Sequence, residues 1–299
     1  MNKNEKSTKA VVKKIIDASV DISMTPPLEA DAIGFGAKCI VSGCLPYNNP
    51  KPEQLQNGCW VRSNGEYSLW VQGGMRGMPY GSYPRLFTIW LTSEAIKTGD
   101  RKIYAGRSIR DYLSRVGVDS SRGKRGGGTY LIEQTSRFLE SRVGFSRGGD
   151  TSAKGNMMQF ADDYDLFWEP KQLNQDSLFE SQITLTKKFF DEITTYNIPL
   201  DMRAIAVLKS SPIALDIYQW LAYRLHYIKG NQPARPTWQQ LNLQFGSGYK
   251  RIDHFKKNFI KKLKLVKLAY PAAKIEETKT GLILFNSPPP VPKKLFVVK

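Results

Sequence analysis

The chain has 299 residues, and 44 Lys and Arg against 27 Asp and Glu leave a formal charge of +17. That length suits one large or two ordinary domains of about 100–200 residues each, and a 41% hydrophobic content is that of a folded chain. The surplus charge calls for an acidic partner, and nucleic acid is favoured over membrane, because no apolar run approaches the about 18 residues of a spanning helix.

Residues 1–30 are polar, Lys-rich and end in Thr25-Pro26-Pro27, which suits a mobile basic tail. The Lys-rich start lacks the long apolar core of a secretory signal. Three cysteines make an odd number for a secreted disulfide scaffold, so a cytoplasmic protein of a bacterial host is expected.

Cys59-Trp60-Val61-Arg62 and Tyr67-Ser68-Leu69-Trp70-Val71 alternate around a turn at Ser63-Asn64-Gly65 and predict a β-hairpin. Pro84 suits the first position of a helix that turns Leu86, Phe87, Ile89, Trp90, Leu91, Ala95 and Ile96 inward, with Gly99 as its stop. Ser108 and Asp111 predict a capping box for a short helix carrying Ile109, Leu113 and Val116. A loop of glycines and cations at 121–128 leads to a third helix over 129–142. Strands are expected near 143–147, 157–167 and 181–186. Helices followed by strands is the order of a winged helix.

The order recurs in the second half. Pro212 starts an apolar helix, and Thr237-Trp238-Gln239-Gln240 has the T-x-x-Q spacing of a capping box. Gly246-Ser247-Gly248 makes a turn, a helix spans 249–266, and a hairpin pairs 273–277 with 282–285. The expected fold is α+β, a tandem pair of winged helices. Its parts are a tail at 1–30, a first domain at 31–186, a second at 187–287 and a Pro-rich tail at 288–299.

The helix at 249–266 is the most informative segment. Ile252, Phe255, Phe259, Leu263 and Val266 form one inward stripe. Around it stand Lys250, Arg251, His254, Lys256, Lys257, Asn258, Lys261, Lys262 and Lys264, with Asp253 the sole acid. A solvated helix ordinarily mixes signs, since opposite charges four apart stabilise it; this one is suited to phosphate. In a helix-turn-helix the second helix enters the major groove. Arg251 and His254, with Lys250 nearby, are expected to read bases, and Lys257, Lys261 and Lys262 to grip phosphates, with Asn258 alongside. A second basic surface is expected from Arg122, Lys124, Arg125, Arg137, Arg142 and Arg147, where glycines allow close approach to phosphates.

Enzymatic readings fail on spacing. From Gly117 to Gly123-Lys124 the P-loop spacing is too long, and Arg125 stands where Ser or Thr must meet magnesium. Cys39, Cys44 and Cys59 lack a nearby fourth ligand. His226 and His254 are too far apart for the histidine cluster of a DNA-nicking enzyme, and Asp162, Asp163 and Asp165 suit a wing or loop. No catalysis, cofactor or metal is expected. Gln240-Leu241-Asn242-Leu243-Gln244-Phe245 is similar to the peptides that engage the replicative sliding clamp, but Leu241 and Phe245 are expected to be buried. Tyr218, Trp220, Tyr223 and Tyr227 are read as core.

Several segments together resemble the RepA-type plasmid replication initiators: Leu45-Pro46-Tyr47, Trp60-Val61-Arg62-Ser63-Asn64-Gly65, Pro79-Tyr80-Gly81-Ser82-Tyr83-Pro84-Arg85-Leu86 with Trp90, Glu94 and Ala95, Ile198-Pro199-Leu200-Asp201-Met202-Arg203, and the run from Ser211 to Arg224. The resemblance implies binding to repeated duplex sites (iterons) at a plasmid origin, opening of an adjacent A·T-rich segment, and recruitment of the host initiator and replicative helicase. It also implies a homodimer in equilibrium with a monomer, pairing through the first winged helix, repression of its own promoter and plasmid copy control. The alternative is a winged-helix transcriptional repressor without a replication role.

Overall fold

The structure, a computed structural model, describes residues 13, 16–41, 45–64, 67–117, 127–149, 152–167, 180–230, 232–246 and 248–292. The chain opens with α1 (16–24), β1 (Ile33–Ala37) and a single turn, α2 (Lys38–Val41). There follow β2 (Cys59–Asn64), β3 (Tyr67–Gln72), α3 (Ser82–Thr98), β4 (Lys102–Gly106), α4 (Ile109–Arg115) and α5 (Gly127–Leu139). Next come β5 (Arg142–Gly149), β6 (Ser152–Gln159), β7 (Ala161–Asp165), β8 (Ser181–Leu185) and α6 (Lys187–Thr195). The chain continues with β9 (Asn197–Asp201), α7 (Met202–Leu208), α8 (Pro212–Arg224), α9 (Trp238–Phe245), α10 (Ile252–Ala269), β10 (Ile275–Glu277) and β11 (Leu282–Leu284). The fold is mixed α+β. Packing divides it into two compact units, Phe35–Asn197 and the pair of segments Met1–Gly34 and Ile198–Lys299.

In the unit Phe35–Asn197, α3 is the central element. It packs against α5, α6 and β4, and every residue from Pro84 to Ser93 is buried. Two hydroxyls of this buried stretch are satisfied by the helix's own carbonyls. Thr88 Oγ1 donates to Pro84 O (2.6 Å) and Ser93 Oγ to Ile89 O (2.7 Å). The helix starts at Ser82, so Pro84 lies within the first turn, where its missing N–H leaves no helical bond unmade. Gly99, at φ 66°, closes the helix in the left-handed conformation expected of a C-terminal glycine.

Rings run from α3 through α5 to α6. Phe87 meets Phe138 edge-on at 5.6 Å, Phe138 stacks on Phe160 at 3.9 Å, and Phe160 meets Phe189 at 5.0 Å. Phe160 explains why 157–167 is not the single expected strand. β6 ends at Gln159, the buried Phe160 turns into the core, and β7 begins at Ala161. The helix expected over 129–142 likewise stops at Leu139, and Arg142 opens β5.

Strands β2, β3, β5 and β6 form one antiparallel sheet in that order, and β4, β8 and β7 another. The expected β2–β3 hairpin is present, but Ser63 pairs with Ser68 and Asn64 with Tyr67. Ser63 and Asn64, expected in the turn, thus belong to the ladder, and residues 65–66 lie outside the described residues. Helix α6, assigned from sequence to the second domain, packs against α3 and β6.

In the other unit, α8 is buried from Ile213 to Ala222, and α10 lies against α7, α8 and α9. Asp201, 1% exposed, caps α7 by accepting from Arg203 N (2.9 Å) and receives the Arg203 guanidinium at 2.7 Å. Arg203 also donates to Asp21 Oδ2 (3.0 Å) and Thr25 O (2.9 Å). The stretch read as a mobile tail thus includes a helix, α1, whose last turn is tied to Arg203; Pro27 and Ala32 behind it are buried.

Candidate nucleic-acid interface

Helix α9 begins as its spacing predicts. Thr237 Oγ1 accepts from Gln240 N (3.2 Å), and Gln240 Oε1 accepts from Thr237 N (2.9 Å). Leu241 and Phe245 are buried, so the clamp-like run at 240–245 presents Leu243 and not its two anchor positions. Trp220 meets Phe245 edge-on at 5.3 Å, and Phe245 meets Phe259 at 5.5 Å, which seats α9 between α8 and α10. Tyr218 and Trp220 are core as expected, whereas Tyr223 is half-buried and Tyr227 exposed.

The turn into α10 is held by Asn258. Its Nδ2 donates to Tyr249 Oη at 2.6 Å, and burial raises the Tyr249 hydroxyl above its ordinary pKa against that bond. The helix starts at Ile252, later than expected, so Tyr249, Lys250 and Arg251 precede it. Phe255, Phe259, Leu263, Val266 and Ala269 are its buried positions, whereas Ile252, expected at the head of the inward stripe, is exposed in the first turn.

At 3.6 residues per turn, His254, Lys257, Lys261 and Lys264, spaced 3, 4 and 3, fall on the opposite side. All four are exposed, as are Lys250 and Arg251. Lys262 differs. It comes seven positions after Phe255, about two turns, and so returns to the core side. There it is half-buried, and burial first, then Lys261, lowers its pKa. Asn258 is similarly turned away, toward Tyr249. Lys264, absent from the sequence-derived phosphate set, completes the outward row; the spacing from Lys257 and Lys261 was sufficient to find it.

Arg251 is not free at the start of the helix. Its Nε and Nη2 donate to Asp253 Oδ1 (3.0 Å) and Oδ2 (2.7 Å), and that bond holds the Asp253 carboxyl below its ordinary pKa. Among the described residues, this is the one ion pair on α10.

The second basic surface is differently placed. Arg122, Lys124 and Arg125 lie outside the described residues, as does the side chain of Arg147. Arg142 is exposed on β5. Arg137, with 14% of its side chain exposed, donates to Glu133 Oε1 (2.6 Å) and Met78 O (3.2 Å) and lies 5.4 Å from the Tyr80 ring centre. It ties α5 to the segment before α3. Other arginines of this unit also meet acids: Arg76 with Glu140, Arg101 with Asp162, Arg107 with Glu180 and Arg115 with Asp111. Among the described residues, the row on α10 has no acidic partner.

No group of His, Cys, Asp or Glu suited to a metal ion occurs among the described residues, nor does a helix long and apolar enough to cross a membrane. Cys39 is buried, Cys59 half-buried, and Cys44 lies outside the described residues.

The profile of the plasmid-encoded RepA protein family matches residues 78–240. That span runs from Met78 into the first turn of α9, and α10 with the β10–β11 hairpin lies beyond it. No curated protein matches the chain. Two solved structures of domains 2 and 3 of RctB are similar at 12% identity and a TM-score of 0.48; one covers 83% of this chain and 98% of its own, the other 82% and 93%.

Proposed function

Since the chain belongs to the family of plasmid-encoded RepA proteins, we propose that it initiates replication of a plasmid by binding repeated duplex DNA sites at the origin. The observation that carries the DNA-binding part is the row His254, Lys257, Lys261 and Lys264 on α10, exposed together and facing away from the helix's buried stripe. Because α10 lies outside the family match, this support is independent of it.

In this reading α9 and α10 form a helix-turn-helix, with β10 and β11 as the wing. α10 enters the major groove, where Arg251 and His254, at the N-terminal end, meet base edges. Lys257, Lys261 and Lys264 meet phosphates, and Lys250 flanks them. Lys262 and Asn258 hold the helix in place and are left out of the contact set. The other unit is read as a further winged helix, supplying backbone grip through Arg122, Lys124 and Arg125 and pairing two copies; Arg137 has a packing role in it. The reading includes opening of A·T-rich DNA, recruitment of the host initiator and replicative helicase, autorepression and a cytoplasmic location. It assigns the chain no catalytic step.

The test is genetic. The gene with its flanking DNA is placed on a selectable circle that lacks a replicon and introduced into a bacterial host expressing the protein. Colonies that maintain the circle, and lose it when Lys257 and Lys261 are both changed to Ala, are expected. Absence of replication alongside intact repression of the gene's own promoter would replace this reading with that of a repressor.

A further inference from the structure

Lys256 stands on the α10 surface among cations suited to phosphate, yet its ammonium is engaged elsewhere. It lies 5.0 Å from the centre of the Trp238 ring and 3.4 Å from Lys279 O at the tip of the β10–β11 hairpin. Trp238 is 6% exposed; its ring meets Phe259 of α10 edge-on at 6.1 Å, and its Nε1 donates to Thr278 O at 3.3 Å. Backbone bonds complete the attachment: Trp238 N donates to Thr280 O (2.9 Å) and Leu282 N to Pro236 O (3.0 Å).

The tip itself is internally braced. Gly281 N donates to Thr278 Oγ1 (3.0 Å) and Thr278 N to Gly281 O (2.9 Å). A side chain at Gly281 would have its Cβ 2.0 Å from Pro236 O, so this close approach requires glycine. Hairpin tip, α9 start and α10 are therefore one braced body. Its lynchpins are an indole and an ammonium whose polar atoms both reach main-chain oxygens of the tip.

We infer that Trp238 and Lys256 are positioning residues that fix the hairpin tip, with its exposed Lys279, against α10, so that tip and helix engage duplex DNA as a single rigid surface. The inference rests on the proposed DNA contact of α10. Lys256 contributes to binding through the position of the tip, and it does not itself neutralise a phosphate.

The probe is a duplex enriched from a random-sequence pool by the wild-type protein. Binding is measured across a salt series, and hydroxyl-radical footprints are taken at saturating protein. Lys256→Met keeps the stem over the indole and removes the ammonium; Trp238→Phe keeps the ring and removes the donor. Both are expected to weaken binding about 3- to 10-fold, with protection lost at one edge of the site while that under α10 persists. Lys256→Arg is expected to restore the edge. Lys257→Ala reports separately on α10, lowering the slope by about 0.9.

If Lys256→Met lowers the slope as Lys257→Ala does and keeps the edge protected, Lys256 is a phosphate contact and the inference fails. No change in either variant also overturns it. If no duplex is enriched, or Lys257→Ala has no effect, the reading of α10 fails first.

Discussion

At the start of α10, Arg251 and Asp253 hold each other through two parallel hydrogen bonds, Nε to Oδ1 at 3.0 Å and Nη2 to Oδ2 at 2.7 Å. The geometry is the one an arginine uses on the paired acceptors of guanine. The carboxylate therefore competes with DNA for the same fork, and both partners are exposed enough for exchange to cost little. Changing Asp253 to Asn is expected to raise affinity for the selected site more than for scrambled duplex, widening the ratio between them. Arg251→Ala is expected to narrow it, costing about 1–3 kcal/mol of discrimination. Competition binding at fixed salt measures both. Since the pair holds the Asp253 carboxyl below its ordinary range, it stays ionised above that range. Lowering the pH from neutral toward 5 is thus expected to leave this competition unchanged.

Lys261 and Lys262 are neighbours with opposite environments. Lys261→Ala is expected to lower the slope of log affinity against log salt by about 0.9, and Lys262→Ala to leave it nearly unchanged. Lys262→Met should stabilise the fold slightly at pH 7, within the about 0.5 kcal/mol usual for surface changes. The sign follows from burial: the folded chain disfavours the charged ammonium and lowers its pKa. Between the folded and unfolded pKa values the unfolded chain binds more protons, so stability rises with pH there. The advantage of Met is expected to be full below the folded value and to shrink as pH rises toward the ordinary lysine value. Thermal unfolding of both proteins from pH 7 to 10 checks this.

Arg85 is 2% exposed and donates to three carbonyls, Leu45 O (2.6 Å), Gly81 O (2.6 Å) and Pro46 O (3.3 Å), with the Tyr47 ring 5.0 Å away. This guanidinium thus joins Leu45-Pro46-Tyr47 to the helix start at Pro79–Leu86, two segments on which the family resemblance rested. Lysine cannot span several separated acceptors with one ammonium. Arg85→Lys is expected to destabilise the fold by about 2–3 kcal/mol and Arg85→Ala by about 3–5 kcal/mol, each stranded carbonyl contributing about 1–3 kcal/mol. Urea unfolding gives the difference.

Where local chemistry decides, the sequence was informative. Gly99, the Thr237–Gln240 box and the buried stripe of α10 from Phe255 to Val266 follow from spacing alone, whereas Ile252 of that stripe is exposed. Lys261 and Lys262 look alike in the sequence until each is counted from Phe255, which puts Lys262 toward the core side; the count was available. For Arg137 the signal was Glu133, four positions earlier on the same helix. Arg85 left no comparable signal, because two of its three acceptors are main-chain oxygens of a segment about forty positions away, 45 against 85. The same holds for α1, whose attachment depends on an arginine at 203. Long-range polar contacts carry no periodicity, and these were the parts not legible.

Gly144 illustrates a constraint set across strands. It pairs with Trp70 of β3, and a Cβ placed on it would lie 2.0 Å from the indole. The indole therefore occupies the space that a side chain at 144 would need. Gly144→Ala must push the ring off its strand or twist β5, an overpacking expected to cost about 1–3 kcal/mol. Trp70→Leu alone removes ring contacts and is also expected to destabilise. Combined with Gly144→Ala, however, it opens the room the methyl requires, so the double variant should be more stable than the sum of the single changes by at least about 1 kcal/mol. Strict additivity in a double-mutant cycle of urea unfolding would show that the two residues do not share that space.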